Sequence, residues 1–387
     1  MPLKTPKSKP IKPATRNKAR YVMIGGFLGA GKTTAVAELA KRLSDQGLRV
    51  GLITNDQGRN LVDTTMLRSQ GFATEEIPGG CFCCRFNSLV DAATKLTEQS
   101  RPEIFIAEPV GSCTDLAATV TYPLRRLYGD SFTVAPVSVL VDPVRAARVF
   151  GLEKGGNFSE KVLYIYRKQI EEADLVVISK SDLLDEARLQ ALREAISAKF
   201  PAKEILAVSA RTGTNLDTWF ARLTSEKQSA GQAMQVDYQV YADGEALLGW
   251  LNGTVQLAAK KAFDSDQFLK RLAGEVQKRL QAEKAEVAHL KMTLSPASCL
   301  LGEIAVVNLV RNDVVPALSL TLESPVQAGQ LIINLRAEAA PDVLGTVVRE
   351  ALVASTKAFP TLTATLDHLE HFRPGKPSPT HRFKTAP

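Results

Sequence analysis

Between Arg20 and about Leu223, short apolar runs alternate with longer amphipathic stretches. Six runs stand out: Tyr21-Val22-Met23-Ile24, Val50-Gly51-Leu52-Ile53, Ile104-Phe105-Ile106-Ala107, Val137-Ser138-Val139-Leu140-Val141, Leu175-Val176-Val177-Ile178 and Ile205-Leu206-Ala207-Val208. Each is short, rich in Val, Ile and Leu, and followed by small or polar residues. Such runs, apolar at successive positions, mark strands buried on both faces. Separated by helical stretches, they predict an α/β domain over residues 20–225: a mostly parallel sheet with helices on both faces. Ligands of such sheets bind beyond the carboxyl ends of the strands, so chemistry is expected in the loops that follow these runs.

Residues 226–236 turn polar and small and read as a linker. After them the rhythm changes. Phe268, Leu272, Val276 and Leu280 recur every four residues and define a helix with one apolar stripe. Ile304 to Val310 and Leu331 to Leu335 read as strands, and Leu318, Leu320 and Leu322 alternate with Ser319 and Thr321 as in a strand with one wet face. Pro341-Asp342 opens a second helix carrying Val343, Val347 and Ala351, and Leu362 to Leu366 closes in a strand. Residues 237–371 therefore predict a smaller α+β sandwich, ferredoxin-like, with one solvated sheet face and a role in recognising a partner. Both ends read as tails: residues 1–19 are rich in Lys and Pro, and residues 372–387 hold four prolines and no acid.

Charge is distributed unevenly over this plan. The 387 residues carry a formal +7, yet Tyr21 to His371 holds 37 basic against 41 acidic side chains, a net −4. The basicity sits in the two tails, so a polyanionic partner is not implied for the body, and nucleic-acid contact through the first tail is a subordinate alternative. No apolar run approaches the roughly 20 residues of a membrane span, and the N-terminal segment lacks the apolar core of a secretory signal; a cytoplasmic protein without membrane contact is expected. Three of the five cysteines, Cys81, Cys83 and Cys84, fall within four residues, which speaks for a reducing compartment and for thiolates gathered at one site.

The first strand runs into Gly26-Phe27-Leu28-Gly29-Ala30-Gly31-Lys32-Thr33, a G-x-x-x-x-G-K-[ST] phosphate loop, and then into a helix carrying Thr34, Ala35, Leu39 and Leu43. Backbone N–H groups of such a loop close around a β-phosphate, Lys32 bridges β and γ oxygens, and the Thr33 hydroxyl binds Mg²⁺. After the fifth run, Ser179-Lys180-Ser181-Asp182 is similar to the N-K-x-D guanine motif, with Ser for Asn. A carboxylate at Asp182 can accept from guanine N1–H and N2–H₂, a pair adenine lacks, and Ser209-Ala210 falls where a backbone contact to guanine O6 is expected. GTP is therefore favoured over ATP.

Two further strand ends carry acids: Asn55-Asp56-Gln57-Gly58 and Glu108-Pro109-Val110-Gly111. Asp56 and Glu108 are candidates for holding Mg²⁺ or orienting the attacking water, and the Gly111 N–H can meet a γ-phosphate, so this segment reads as a switch. Between them, Gly79-Gly80-Cys81-Phe82-Cys83-Cys84 offers three thiolates to one soft or borderline metal and leaves a fourth tetrahedral position open. Redox exchange is the rival reading. Cys113 reads as an ordinary small apolar residue, the alternative being that it joins the three thiolates in one nucleotide state.

These segments, in this order, resemble the CobW-type GTPases, metal-handling proteins related to the urease and hydrogenase nickel-insertion GTPases. The resemblance covers about Arg20 to Leu223 and implies a GTP-hydrolysing metallochaperone that holds Zn²⁺ or Co²⁺ at Cys81, Cys83 and Cys84. Its partner would be a client metalloprotein; a GTP-controlled switch acting on a corrinoid-dependent enzyme is the alternative, and a homo-oligomer is compatible with either. Glu76 falls where many relatives have Glu. Departures are Pro109-Val110 in place of hydroxyl residues, Asp56 in place of Glu, and only four scattered histidines (His289, His368, His371 and His381).

Overall fold

The computed structural model describes residues 18–55, 62–297 and 303–387. All six apolar runs are strands of one parallel sheet, joined by two shorter ones: β1 (Ala19–Gly26), β2 (Val50–Asn55), β3 (Thr74–Ile77), β4 (Ile104–Glu108), β5 (Phe132–Val134), β6 (Ser138–Val141), β7 (Leu175–Ile178) and β8 (Glu204–Ala207). Their order is β3-β2-β4-β1-β6-β7-β8, with β5 beside the start of β1 and β6 beside its end. Pro136, which has no N–H to give to a ladder, interrupts what would otherwise be one strand. Strand order reverses at β1, flanked by β4 and β6, so the crevice of this doubly wound sheet opens where the phosphate loop begins. Apolar layers cover both faces: Tyr21, Met23, Phe105 and Val139 point into one, Val22, Ile24, Ile106 and Leu140 into the other.

The second sheet is antiparallel, built from β9 (Leu248–Phe263), β10 (Glu286–Pro296), β11 (Ala305–Leu309), β12 (Ala317–Leu320), β13 (Val326–Glu338) and β14 (Leu362–Phe372), in the order β12-β11-β10-β13-β9-β14. With helices Ser265–Ala282 after β9 and Pro341–Thr356 after β13, the β14-β9-β13-β10 core has the 4-1-3-2 order of a ferredoxin-like βαββαβ unit, extended at one edge by β11 and β12. Phe268, Leu272, Val276 and Leu280 pack with Val347, Val348 and Ala351 against Leu251, Leu290, Ile333 and Leu335 of this sheet.

Two expectations are corrected here. Along β9, β10 and β13 the opposite face of the second sheet is not solvated: Trp250, Asn252, Lys291 and Arg336 are 0–6% exposed, and Trp250, Lys291 and Arg336 line the cavity at the phosphate loop. Period-two alternation shows that a face is polar, not what it meets. Residues 372–387 are not a loose tail either. Their backbone bonds to the first domain through Thr380 N to Cys83 O (2.8 Å) and Phe383 N to Ala118 O (2.9 Å), and Arg382 pairs with buried Asp115 at 2.7 Å. The segment read as a linker is pinned with it, by Ala233 N to Lys384 O (2.8 Å) and Ala386 N to Gly231 O (3.0 Å). Prolines that suggest looseness also pre-set an extended backbone, which lowers the entropy lost when such a strap docks. Among the described residues no helix is long and apolar enough to cross a membrane.

Candidate functional site

The phosphate loop leaves β1 at Gly26, whose φ of +129° and 2.4 Å approach to Leu140 O (measured from an added Cβ) admit only glycine. It feeds helix Lys32–Asp45, whose first-turn N–H groups face the crevice. Lys32 and Thr33 are buried there, Lys32 with its ammonium 3.4 Å from Phe27 O. Burial lowers the Lys32 pKa against the opposing pull of Glu108 and Asp63.

Thr33 Oγ1 lies 2.7 Å from Asp63 Oδ1 and 3.0 Å from Glu108 Oε1. Glu108 Oε2 is buried and has no hydrogen-bond partner among the described residues. Hydroxyl and carboxylate oxygens with one acceptor unsatisfied are a donor set suited to Mg²⁺ and its waters. Burial, reinforced by the Asp63 charge, pushes Glu108 up to about 7. Burial works the same way on Asp63, but the Lys291 ammonium overrides it and holds Asp63 well below the usual carboxylate range.

Lys291 comes from β10 of the second domain; it pairs with Asp63 and reaches Thr33 Oγ1 at 3.3 Å. The two domains enclose a cavity of about 410 Å³ lined by Lys32, Thr33, Asp63, Glu108, Lys291 and Arg336. Asp63 and Lys291 are the residues that reading the sequence missed. Asp63 follows β2 in the same connection as Asp56, which was the available signal; nothing local marks Lys291. Asp56 itself lies outside the described residues.

Beside this cavity a second one, about 250 Å³, is lined by Ser179, Lys180, Asp182, Ser209, Ala210 and Trp219, so the segments chosen for base recognition meet at one place. Ser179 Oγ donates to Ala30 O at 2.7 Å, tying base pocket to phosphate loop. Lys180, in the left-handed region at φ 48°, gives its ammonium to Gly29 O and Asp142, both at 2.8 Å. Asp182 accepts from Ser209 Oγ and pairs with Arg211, both at 2.5 Å, which leaves its carboxylate fixed at the pocket wall. Asp182→Asn is expected to weaken GTP binding roughly 10- to 100-fold, the worth of a charge-assisted hydrogen bond, and to shift preference toward xanthosine triphosphate. Competition binding with the two nucleotides checks this; an unchanged GTP affinity contradicts it.

The cysteines occupy the turn between β3 and helix Phe86–Ser100. Asn55, the last residue of β2, holds that turn: its Nδ2 donates to Ile77 O (2.9 Å) and Gly80 O (2.6 Å), and its Oδ1 accepts from Phe82 N (2.8 Å). The Cys81, Cys83 and Cys84 sulfurs all lie within 4.8 Å of one another, with Cys81 5% and Cys83 1% exposed. Tetrahedral Zn–S bonds near 2.3 Å set sulfurs about 3.8 Å apart, so the observed 2.8, 3.2 and 3.7 Å separations need only open slightly to surround an ion. The Cys113, Cys83 and Cys84 thiols beside Cys81 hold it well below the ordinary thiol range, whereas Cys83 is held well above that range and Cys84 is pushed up to about 11. Glu76 on β3 is not part of this group, and His368 and His371 lie instead beside the Glu370 and Asp342 carboxylates. The strap lies over the cluster, with Ser378 N donating to Cys84 Sγ at 3.2 Å.

Gly111 sits where the loop after β4 presses on the phosphate loop: a Cβ there would stand 3.0 Å from Leu28 N. The end of β2 is thus in direct contact with the cysteine turn, and the loop after β4 with the phosphate loop.

Residues 20–207 match the family described as CobW/HypB/UreG, nucleotide-binding domain. The zinc chaperone CobW of Sinorhizobium sp is 31% identical over 222 residues, 52% of this chain and 61% of its own length. The zinc chaperone YeiR of Escherichia coli K12 is 28% identical over 177 residues, 45% of this chain and 50% of its own. HypB from Helicobacter pylori, solved in complex with nickel, aligns at 19% identity over 55% of this chain and 90% of its own with a TM-score of 0.40. With its phosphate loop and cysteine turn in the places described, the first domain of this chain is similar, over residues 20–207, to the CobW/HypB/UreG nucleotide-binding domains.

Proposed function

We propose that this protein is a GTP-hydrolysing metallochaperone that carries a zinc-like ion on Cys81, Cys83 and Cys84 and yields it to a client protein. The observation that carries the reading is the Asn55 clamp, which ties the cysteine turn to the end of a strand whose continuation reaches the phosphate site. A change in nucleotide at that end therefore has a direct mechanical route to the metal ligands. The names of the two zinc-chaperone relatives point the same way.

In this reading the loop N–H groups and Lys32 cradle the phosphates, Asp182 selects guanine, and Glu108 orients the attacking water. Thr33, with Asp63 beside it, would hold Mg²⁺, which would supply positive charge to offset that building on the phosphate oxygens. Lys291, which pairs with Asp63, reaches Thr33 Oγ1 and lines the same cavity, would turn its ammonium to the γ-phosphate. Purified protein is expected to turn over GTP in preference to ATP and to carry about one zinc per chain, as one tetrahedral thiolate site dictates. Metal content near zero after preparation under reducing conditions contradicts the proposal.

One observation favours the alternative of a GTP-controlled switch for a partner enzyme with a purely structural metal: the C-terminal strap covers Cys84 and hydrogen-bonds its sulfur. Tracing labelled zinc from the loaded protein to a client separates the two readings, since the switch predicts that the label never leaves.

A further inference from the structure

Resting on the reading that the chain binds a guanine nucleotide, we propose that the second domain supplies the wall of that site facing the sugar. Val314 and Val315, in the turn between β11 and β12, close over the ribose opposite Leu183 of the base-binding segment.

A nucleotide with its phosphates at Lys32 and its base beside Asp182 must cross from the 410 Å³ cavity into the 250 Å³ one. Gly31, Thr34, Lys180 and Leu183 line both cavities, so the sugar passes along them. Five large apolar side chains stand out among the described residues for lying in the open, and two of these, Leu183 at 47% and Val315 at 85% exposure, line the larger cavity from different domains. Exposed apolar groups set among polar ones at the mouth of a cavity mark a surface built for a ligand.

The turn that carries Val315 is held rigidly against both parts of the site. From helix Ser265–Ala282, Gln277 Nε2 donates to Asn312 O at 2.9 Å and to Val314 O at 2.7 Å, and Asn312 Nδ2 donates to Ala285 O at 2.7 Å. Val310 packs on the phosphate loop, where a Cβ added to Gly29 would stand 3.1 Å from its Cβ. Arg311 pairs with buried Asp142 at 3.1 Å, and the same carboxylate holds the Lys180 ammonium at 2.8 Å. The turn and the base-motif lysine thus share one anchor. A wall fixed in advance loses little freedom when the nucleotide arrives, so its contact goes into holding the ligand.

Branched aliphatic side chains pack on the C–H faces of a sugar and read nothing of the base. The wall therefore slows nucleotide release without altering the choice of guanine, which is made at Asp182. It also places one nucleotide against both domains, so the domain expected to meet a partner senses directly whether the site is filled.

The test is release of tritiated GDP from the full-length protein, chased with unlabelled GDP, in wild type, Val315→Ser, Val315→Asp and Leu183→Ser. Val353→Ser is the control, an exposed apolar position on helix Pro341–Thr356 that lines neither cavity. Release is expected to be roughly 5- to 10-fold faster in Val315→Ser and Leu183→Ser, the worth of part of a buried aliphatic side chain, and to show mainly in the off-rate. Val315→Asp, which adds a carboxylate near the phosphates, is expected to release faster still, with guanine preferred over adenine as in wild type and Val353→Ser unchanged. Wild-type release from both Val315 variants would overturn the inference, even with Leu183→Ser fast, since the second domain would then touch no sugar. A wild type that binds no guanine nucleotide refutes the underlying reading instead.

Discussion

Cys83→Ser protein is expected to lose its metal. The Cys83 sulfur lies 2.8 Å from Cys81 Sγ at the buried end of the turn, where no water can take its place as a ligand. Serine keeps the volume but brings a hydroxyl that stays protonated at neutral pH, so the ion loses both a bond and a negative charge. Removing a mere second-layer partner of a metal costs roughly 10- to 100-fold in affinity, and loss of a direct thiolate should exceed that range. Zinc content after dialysis is expected to fall from about one per chain to near zero, with Cys81→Ser behaving alike. GTP turnover is expected to survive, because neither residue lines the phosphate cavity. Zinc retained at wild-type stoichiometry in both variants would contradict the site.

Lys32→Ala carries the second large effect. Its ammonium is the buried cation that leads from the phosphate loop into the helix, and burial makes that charge costly unless an anion meets it. A preorganised cation in such a site is worth roughly 100- to 1,000-fold in turnover, so steady-state GTP hydrolysis should fall by that factor. Lys291→Met is the informative companion. If Lys291 only ties the domains together, the variant loses thermal stability and keeps its rate; if it turns to the γ-phosphate as proposed, turnover falls while guanine selectivity, set at Asp182, is unchanged. Wild-type turnover in Lys32→Ala would remove the phosphate loop from the mechanism.

Much of this was legible because it depends on local pattern. The six apolar runs are buried strands wherever they sit, since continuous Val, Ile and Leu can be satisfied only with both faces covered. The phosphate loop is fixed by residues adjacent in the chain, but of the four core strands of the second sheet only β13 and β14 were read: β9, buried on both faces over its first half yet carrying Asn252 and Thr254, and β10, carrying Lys291 and Thr293, showed neither an apolar run nor a clean alternation. β3 and β5 escaped because Thr74-Glu75-Glu76-Ile77 and Phe132-Thr133-Val134 are too short to show a period. Lys291 escaped for a different reason: it lies more than 250 residues from Thr33, and only the packing of one domain on the other brings them together. The strap was misread because composition reports what a segment cannot bury by itself. It does not report that Asp115, buried at 1% exposure, needs the Arg382 guanidinium to offset its burial. Asn55 was noticed as a loop residue, but its function as the clamp of the cysteine turn depends on three hydrogen bonds that no spacing encodes.

The proposed coupling of nucleotide state to metal grip runs through contacts, so it is open to direct measurement. Zinc affinity is to be determined by chelator competition with the protein saturated first by a non-hydrolysable GTP analogue and then by GDP. A difference of roughly 5- to 150-fold, the range of ordinary allosteric coupling, is expected, and by reciprocity zinc must change the preference for the GTP analogue over GDP by the same factor. Equal zinc affinity in the two states would contradict the account, because the Asn55 clamp and the loop after Glu108 would then join two sites that do not communicate.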